Sequence, residues 1–214
     1  IMLGDGHICN GRNEYGVTLG NETKSDLKEF VRNYLDKKNI HYWECDNVTE
    51  CSSIRWSGSD SLNLTRDMLY DSDNQKIILE EFLHLPKAKI MKILEGLLRT
   101  DGSNLKELVF TTSSQKLIMQ MRYLFLRIGI LTSGNVKDDI GKSHITKHGR
   151  TITTKQLSYY LRIPKHPNLS SIIKFKEDGQ YFKCFEWNNV LWGRIKSIRT
   201  IDYVGEVYDF NMID

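Results

Sequence analysis

Two acidic residues stand in matching company. Residues 93–102 read Ile-Leu-Glu-Gly-Leu-Leu-Arg-Thr-Asp-Gly, and residues 1–6 read Ile-Met-Leu-Gly-Asp-Gly. The shorter stretch repeats the tail of the longer one. Each predicts an apolar helix that ends at a carboxylate followed by glycine, Asp5-Gly6 and Asp101-Gly102. A carboxylate at a helix C-terminus meets the negative end of the macrodipole, and two such groups side by side repel. A cation between them removes both penalties. Hard oxygen ligands suit Mg²⁺, which keeps several waters and takes one or two carboxylates plus phosphate oxygens. Such a pair is the raw material of phosphoryl transfer or phosphodiester hydrolysis. A single Asp-Gly makes an ordinary turn after a helix. Two copies with matching upstream residues favour the metal site.

The elements that must carry these acids follow from the apolar spacing. Ile90, Ile93, Leu94, Leu97 and Leu98 form a helical stripe. Pro86 stands where proline suits a helix start, and Gly102 where glycine closes one. Gly96 and Thr100 are four apart and share a face, and Gly4 holds the place of Thr100 in the first copy. Small residues there would let the two helices pack tail to tail.

The likeness between halves continues downstream. After Asp5-Gly6 a strand pair is expected over residues 7–19, then a helix over 25–38 with Leu27, Phe30, Val31, Tyr34 and Leu35 on its apolar face. After Asp101-Gly102 come a strand over 108–111 and a helix with Leu117, Ile118, Met121, Leu124, Phe125 and Ile128 inward. The helices end comparably, at Lys38-Asn39-Ile40 and Ile128-Gly129-Ile130. Further strands are expected over 41–56, and over 131–136 with 143–163. Each half reads helix, hairpin, helix, hairpin, a duplication at a scale of about a hundred residues. The expected divisions are 1–86, 87–179 and 180–214. The last is rich in Tyr, Phe and Trp and reads as short strands, with a turn near Val204-Gly205, from a separate β domain.

Composition narrows the class. A chain of 214 residues can bury a substantial core, and no apolar run is long enough to span a membrane. The four cysteines show no C-x-x-C pairing, which favours a reduced intracellular protein over a disulfide or zinc framework. His144 and His148 are four apart, but in a stretch that reads as strand, which argues against a metal pair. The net charge of +3 says less than its distribution. Lys137, Lys142, Lys147, Arg150, Lys155 and Arg162 crowd the strands of the second half. Arg12 and Arg55 lie in those of the first, with Tyr42, Trp43 and Trp56 interleaved. A basic twisted sheet could track phosphates and enter a major groove. A solvated strand face with alternating core aromatics has the same composition, and composition alone does not choose between them.

With these residues in place, the chain resembles the two-motif LAGLIDADG (dodecapeptide) homing endonucleases, particularly those embedded in inteins. Leu94-Glu-Gly-Leu-Leu-Arg-Thr-Asp-Gly102 is close to the family signature, and the first motif is seen from its fourth position onward. The polar turn into a helix ending Leu126-Arg-Ile-Gly-Ile130 is similar to the family as well. So is Lys76-Ile-Ile-Leu-Glu-Glu-Phe-Leu-His-Leu-Pro86, although Leu79 replaces the family's usual proline. The tail, Trp192-Gly-Arg-Ile-Lys-Ser-Ile198 and then Gly205-Glu-Val-Tyr-Asp-Phe210, resembles the part of the intein (Hint) splicing domain that follows an endonuclease insert. That pattern ordinarily runs on to a His-Asn junction, so residues 1–214 alone are not expected to splice.

The resemblance implies an α+β fold: a pseudo-twofold pair of αββαββα units with a DNA-binding β-saddle, followed by part of an all-β Hint domain. It implies Asp5 and Asp101 as Mg²⁺ ligands, with the carbonyls of Gly4 and Thr100 completing the shell. It implies Lys76 as the residue that meets the hydrolytic water or stabilises developing charge, with a second lysine among Lys174, Lys176 and Lys183. The expected substrate is double-stranded DNA with a long asymmetric site, cut to leave 3′ overhangs. The expected partners are the host protein's exteins, and the expected state is a monomer. The rival readings are a LAGLIDADG protein that binds DNA without cutting it, an RNA maturase, or a degenerate intein in which only splicing remains.

Overall fold

The computed structural model describes residues 1–9, 11, 14–21, 23–46, 51–57, 64–104, 107–146, 149, 151–173, 184–188, 190–193, 195 and 197–207. The chain divides into two compact units, residues 1–180 and 181–214.

In the first unit, β1 (Gly6–Ile8) and β2 (Glu14–Gly20) precede α1 (Ser25–Lys37), which is followed by β3 (Tyr42–Asp46) and β4 (Cys51–Ser57). These strands form an antiparallel sheet in the order β1-β2-β4-β3. A four-residue helix α2 (Glu80–Leu83) leads into α3 (Lys87–Asp101). The pattern then repeats. β5 (Gly102–Asn104) and β6 (Leu108–Thr112) precede α4 (Gln115–Arg127). Next come β7 (Ser133–Lys137), a hairpin of β8 (Ser143–Ile145) with β9 (Thr151–Thr153), and β10 (Ser158–Ile163). The second sheet runs β5-β6-β10-β7, the same order of connection as the first. The β8–β9 hairpin, expected only as part of a longer strand region, is an insertion between two strands of this sheet.

Each sheet buries one face against its own helix. The first core gathers Tyr15, Val17, Leu19, Leu27, Val31, Leu35, Ile54 and Trp56; the second gathers Ile90, Leu94, Leu97, Leu98, Phe110, Leu117, Met121, Phe125 and Leu161. The predicted stripes of α3 and α4 are buried, with Ile93 at the edge. The α1 stripe is narrower than expected. Phe30 and Tyr34 are 56% and 43% exposed and stack on each other outside the core. On α1 the buried apolar residues are the row of Leu27, Val31 and Leu35, and the adjacent Lys28 is buried with them. Ile78 and Leu83 precede residue 87, yet both pack in the second core.

Two local features depart from expectation. Residues 2–5 form a turn, closed by the Gly4 N–H donating to the Ile1 carbonyl at 3.0 Å, rather than a helix end. A stretch this short cannot build an i→i+4 ladder. Gly102 does end α3, but in an extended conformation as the first residue of β5. Its glycine is required by contact: a Cβ there would lie 2.2 Å from the Leu98 carbonyl oxygen.

The comparable ends of α1 and α4 are real. Asn39 (φ 54) and Gly129 (φ 82) both adopt the left-handed conformation. The next amides, of Ile40 and Ile130, donate to the carbonyls of Leu35 and Phe125 at 2.9 Å, closing each helix in the same way.

In the second unit, β11 (Cys184–Trp187) pairs with β12 (Val190–Gly193), with Asn188 left-handed between them (φ 51). Short strands are present as β11 and β12, and residues 197–207 have no regular structure beyond a bend at Gly205, where a turn was expected. Among the described residues no helix is long and apolar enough to cross a membrane, and Cys9, Cys45 and Cys51 are free thiols.

Replacing Gly129 by alanine should destabilise the first unit by about 1–2 kcal/mol, the cost of a β-carbon in the left-handed region. Asn39→Gly should stabilise it slightly. Urea unfolding midpoints of the two variants should therefore move in opposite directions.

Candidate active site

The two motif copies meet through their small residues. A Cβ on Gly4 would fall 1.9 Å from Thr100 Oγ1 and 3.2 Å from Asp101 Oδ2, and one on Gly96 would fall 3.0 Å from the Ile1 nitrogen. The backbone of the first copy therefore lies directly on α3. Thr100 is buried, and its hydroxyl is turned back to the carbonyls of Gly96 and Leu97 at 2.9 Å. Its own carbonyl remains available to the site.

This contact brings the acids together. Burial of the Asp101 carboxyl, followed by repulsion from Asp5, raises its pKa above the ordinary carboxylate value, and Lys76 and Lys24 only partly oppose this. Asp101 as a whole residue is exposed, so solvent reaches it from one side while its carboxyl is crowded from the other. Two ammonium groups answer the negative charge. Lys24 Nζ donates to Asp5 Oδ2 at 2.5 Å and to the Thr100 carbonyl at 2.6 Å. Lys76 Nζ donates to the carbonyl of Gly4 and, at 2.9 Å, to that of Gly6. Burial lowers the Lys76 pKa, with Asp101 and Asp5 restoring part of the loss. Each lysine thus sits on a carbonyl that belongs to a motif copy.

The expected metal shell was Asp5, Asp101, Gly4 and Thr100. All four meet here as hard oxygen donors, and the two carbonyls already attract cationic nitrogens. Among the described residues no three His, Cys, Asp or Glu side chains converge on a metal position. An ion at this site would therefore use two carboxylates, main-chain oxygens and water, a donor set that fits Mg²⁺.

Lys76 is held from the second half. Its carbonyl accepts from the Ser114 hydroxyl at 2.7 Å, while the same Ser114 oxygen caps α4 by accepting from the Leu117 N–H at 3.1 Å. Two residues on, the buried Gln120 amide takes both the N–H and the C=O of Ile78, at 2.8 and 2.6 Å. The lysine's backbone is fixed to α4, and its ammonium reaches the turn of the first copy.

Lys24 was not foreseen. It occupies the cap position of α1 that Ser114 occupies in α4, yet it makes no side-chain cap. A lysine at a helix N-terminus is electrostatically misplaced. That misplacement was the available signal. The expected second lysines, Lys174, Lys176 and Lys183, lie outside the described residues.

The remaining candidates divide. Arg55 and Arg162 stand on the faces of their sheets opposite the cores, where Arg55 pairs with Glu14 at 3.1 Å and Arg162 with Glu107 at 3.2 Å. Lys137 pairs with Asp139, which also takes Lys142 at 2.7 Å, and Lys155 is exposed. Trp56 is 2% exposed and stacked on Tyr15, with ring centroids 5.9 Å apart, so it packs in the core instead of facing a groove. Tyr42 lies opposite Trp56 in the strand register and packs against the same core. Arg12, Lys147 and Arg150 lie outside the described residues.

Residues 88–163 match the family described as a LAGLIDADG-like domain. The ATP-dependent DNA helicase Hel308 of Methanocaldococcus jannaschii is 32% identical over 127 residues, which make up 50% of this chain but only 10% of the helicase. Mesophilic variants of the homing endonuclease I-DmoI share the fold with a TM-score of 0.53 at 16% identity, over 80% of this chain and 89% of theirs. I-DmoI in complex with DNA and Ca superposes with a TM-score of 0.51 at 18% identity, over 80% and 84% of the two chains. At these identities the likeness shows a shared mixed α/β fold.

The charge balance makes stability depend on pH. With its pKa raised on folding, Asp101 binds its proton more tightly in the folded chain than in the unfolded one. Its contribution is lost as pH climbs from the ordinary carboxylate range through the raised value. In EDTA, Asp101→Asn should raise the urea midpoint at about pH 8 and have little effect at about pH 4. A uniform shift at both would show that the carboxyl is not disfavoured in its charged form.

Proposed function

We propose that this chain is a site-specific, Mg²⁺-dependent endonuclease of double-stranded DNA, carried as an intein insertion in a host protein and leaving 3′ overhangs. The observation that carries the reading is the meeting of Asp5 and Asp101, one from each motif copy, beside the carbonyls of Thr100 and Gly4. Two like charges are costly to hold together unless a cation is part of the working state. A Mg²⁺ bound by these oxygens would supply charge stabilisation at the phosphate and a more acidic water.

The chain's own residues have distinct tasks in this reading. Asp5 and Asp101 hold the ion, helped by the two carbonyls. Lys76 has a lowered pKa, which brings its proton exchange closer to neutral pH and suits it to handle a proton on water or leaving oxygen. Lys24 is the second lysine, steadying Asp5 and reaching the Thr100 carbonyl. The outer faces of the two sheets take the DNA, with Arg55, Lys137 and Arg162 on them, and Lys155, Arg12, Lys147 and Arg150 are further contacts in this reading. Because each half supplies one acid and a differently decorated sheet, a monomer would bind a long asymmetric site. The proposed divisions are the two halves, 1–86 and 87–179, and a Hint segment, 180–214.

The insertion rests on separate support. The helicase match occupies a small fraction of a much longer protein, the proportion expected of an inserted element. In the second unit, Ile195, Ile198, Ile201, Val204 and Val207 are all largely exposed, and these are side chains that the rest of a β domain would cover. Such a protein would act inside the cell, where the host gene is.

Cleavage of a plasmid library in Mg²⁺ tests the reading. Asp5→Asn and Asp101→Asn should each reduce cutting by at least about 10³-fold, on the order expected when a metal-held phosphate loses a ligand. DNA binding, read by gel shift, should be largely preserved. Full cleavage by either variant would sink the assignment, and binding without cutting by the parent chain would favour the non-cleaving alternative.

A further inference from the structure

The two exposed sheet faces carry one matched device. In the first sheet, His7 pairs with Gly16, Gly16 with Arg55, and Arg55 with Trp43. In the second, Ser103 pairs with Val109, Val109 with Arg162, and Arg162 with Ser133. Both rows begin two residues after a motif aspartate, so Arg55 and Arg162 occupy the same place in the two halves. Their ion-pair partners match as well. Glu14 lies two residues before Gly16, and Glu107 two residues before Val109, so each glutamate meets its arginine along the same diagonal.

We infer that Arg55 and Arg162 are the paired base-reading residues of this surface. Each takes the major-groove edge of a guanine, at equal distances on either side of the centre of the site. The inference rests on the DNA-cleaving reading above. Three considerations support it. The arginine side chains are 36% and 51% exposed, so solvent and a ligand can reach both guanidiniums. A glutamate beside each guanidinium repels a phosphate, whereas the guanine edge offers the neutral acceptors O6 and N7. One carboxylate cannot use all five N–H donors of a guanidinium, so donors remain for a base while the pair fixes the fork.

Their surroundings differ in a useful way. Gly16 leaves room for the His7 ring and the Arg55 stem, since a Cβ there would lie 2.5 Å from His7 Cε1 and 3.4 Å from Arg55 Cγ. Val109 fills that place in the second half. His7 and Trp43 have Ser103 and Ser133 as counterparts. A shared guanine pair flanked by unlike bases is the expected outcome.

Binding selections from a randomised duplex library, run with the full chain and with Arg55→Lys and Arg162→Lys, test this. The parent should enrich guanine at two positions equidistant from the centre, each by about tenfold or more. Each lysine variant should lose the preference at one position only and bind the parent's selected sequence about tenfold more weakly, with sequences lacking that guanine little affected because the charge remains. Glu14→Gln and Glu107→Gln should weaken the same positions, and they give the readout should a lysine variant not fold. Unchanged preferences, or uniform weakening across all sequences, would overturn the inference and leave the endonuclease reading intact. No enrichment by the parent chain would overturn both.

Discussion

The site depends on a steric permission. Gly4 can lie against Thr100 only because it has no side chain, and that contact sets the separation of the two aspartates. A larger residue at Gly4 would wedge the first copy off α3 and pull Asp5 away from Asp101. Burial and the nearby Asp5 then raise the cost of ionising Asp101, and Lys76 and Lys24 answer part of that cost. The chain therefore gathers four charged groups in one place, and burial disfavours the charge of two of them, Asp101 and Lys76. Such concentrations are kept for chemistry rather than stability.

The duplication explains how one fold supplies both halves of this cluster, and where the halves part company. Sheet order, helix ends and the arginine rows repeat. The cap position of the helix that follows the first hairpin of each half, α1 and α4, does not. In one half it holds Lys24, which reaches the aspartate of its own motif copy and the carbonyl of the other. In the other half it holds Ser114, which caps α4 and carries the main chain of Lys76. Two lysines arrive at the centre by different routes, one from a helix N-terminus and one from the segment between the halves. Asp26, in the first turn of α1, adds an ion pair to Arg99 on α3, so the same helix end is tied twice to the opposite copy.

Much of this was visible in the residue pattern, because its cause is local. The α3 and α4 stripes, the two helix ends and the paired Asp-Gly motifs each follow from spacing over a few residues. What stayed hidden depends on distant partners. The spacing of Phe30 and Tyr34 fits a buried face, but exposure is decided by how much of α1 the first sheet can cover. Trp56 reads as a groove aromatic or a core aromatic until the register fixes its side. The matched glutamates could be recognised only once β2 and β6 were aligned with β4 and β10. Lys24 carried a signal, a cation at the wrong end of a helix, whose meaning appears only when Asp5 and Thr100 stand beside it.

The Gln120 amide has a wider effect than its two hydrogen bonds. By engaging both polar groups of Ile78 it serves as a rung of sheet where no strand exists, and it bolts the connecting segment to the second half. The ammonium two residues earlier reaches into the first half. The segment is therefore a gauge rod of fixed length between the two sheets. Were the halves to part, the ammonium would be drawn off the carbonyls of Gly4 and Gly6, so the seat of Lys76 registers the spacing of the two sheets.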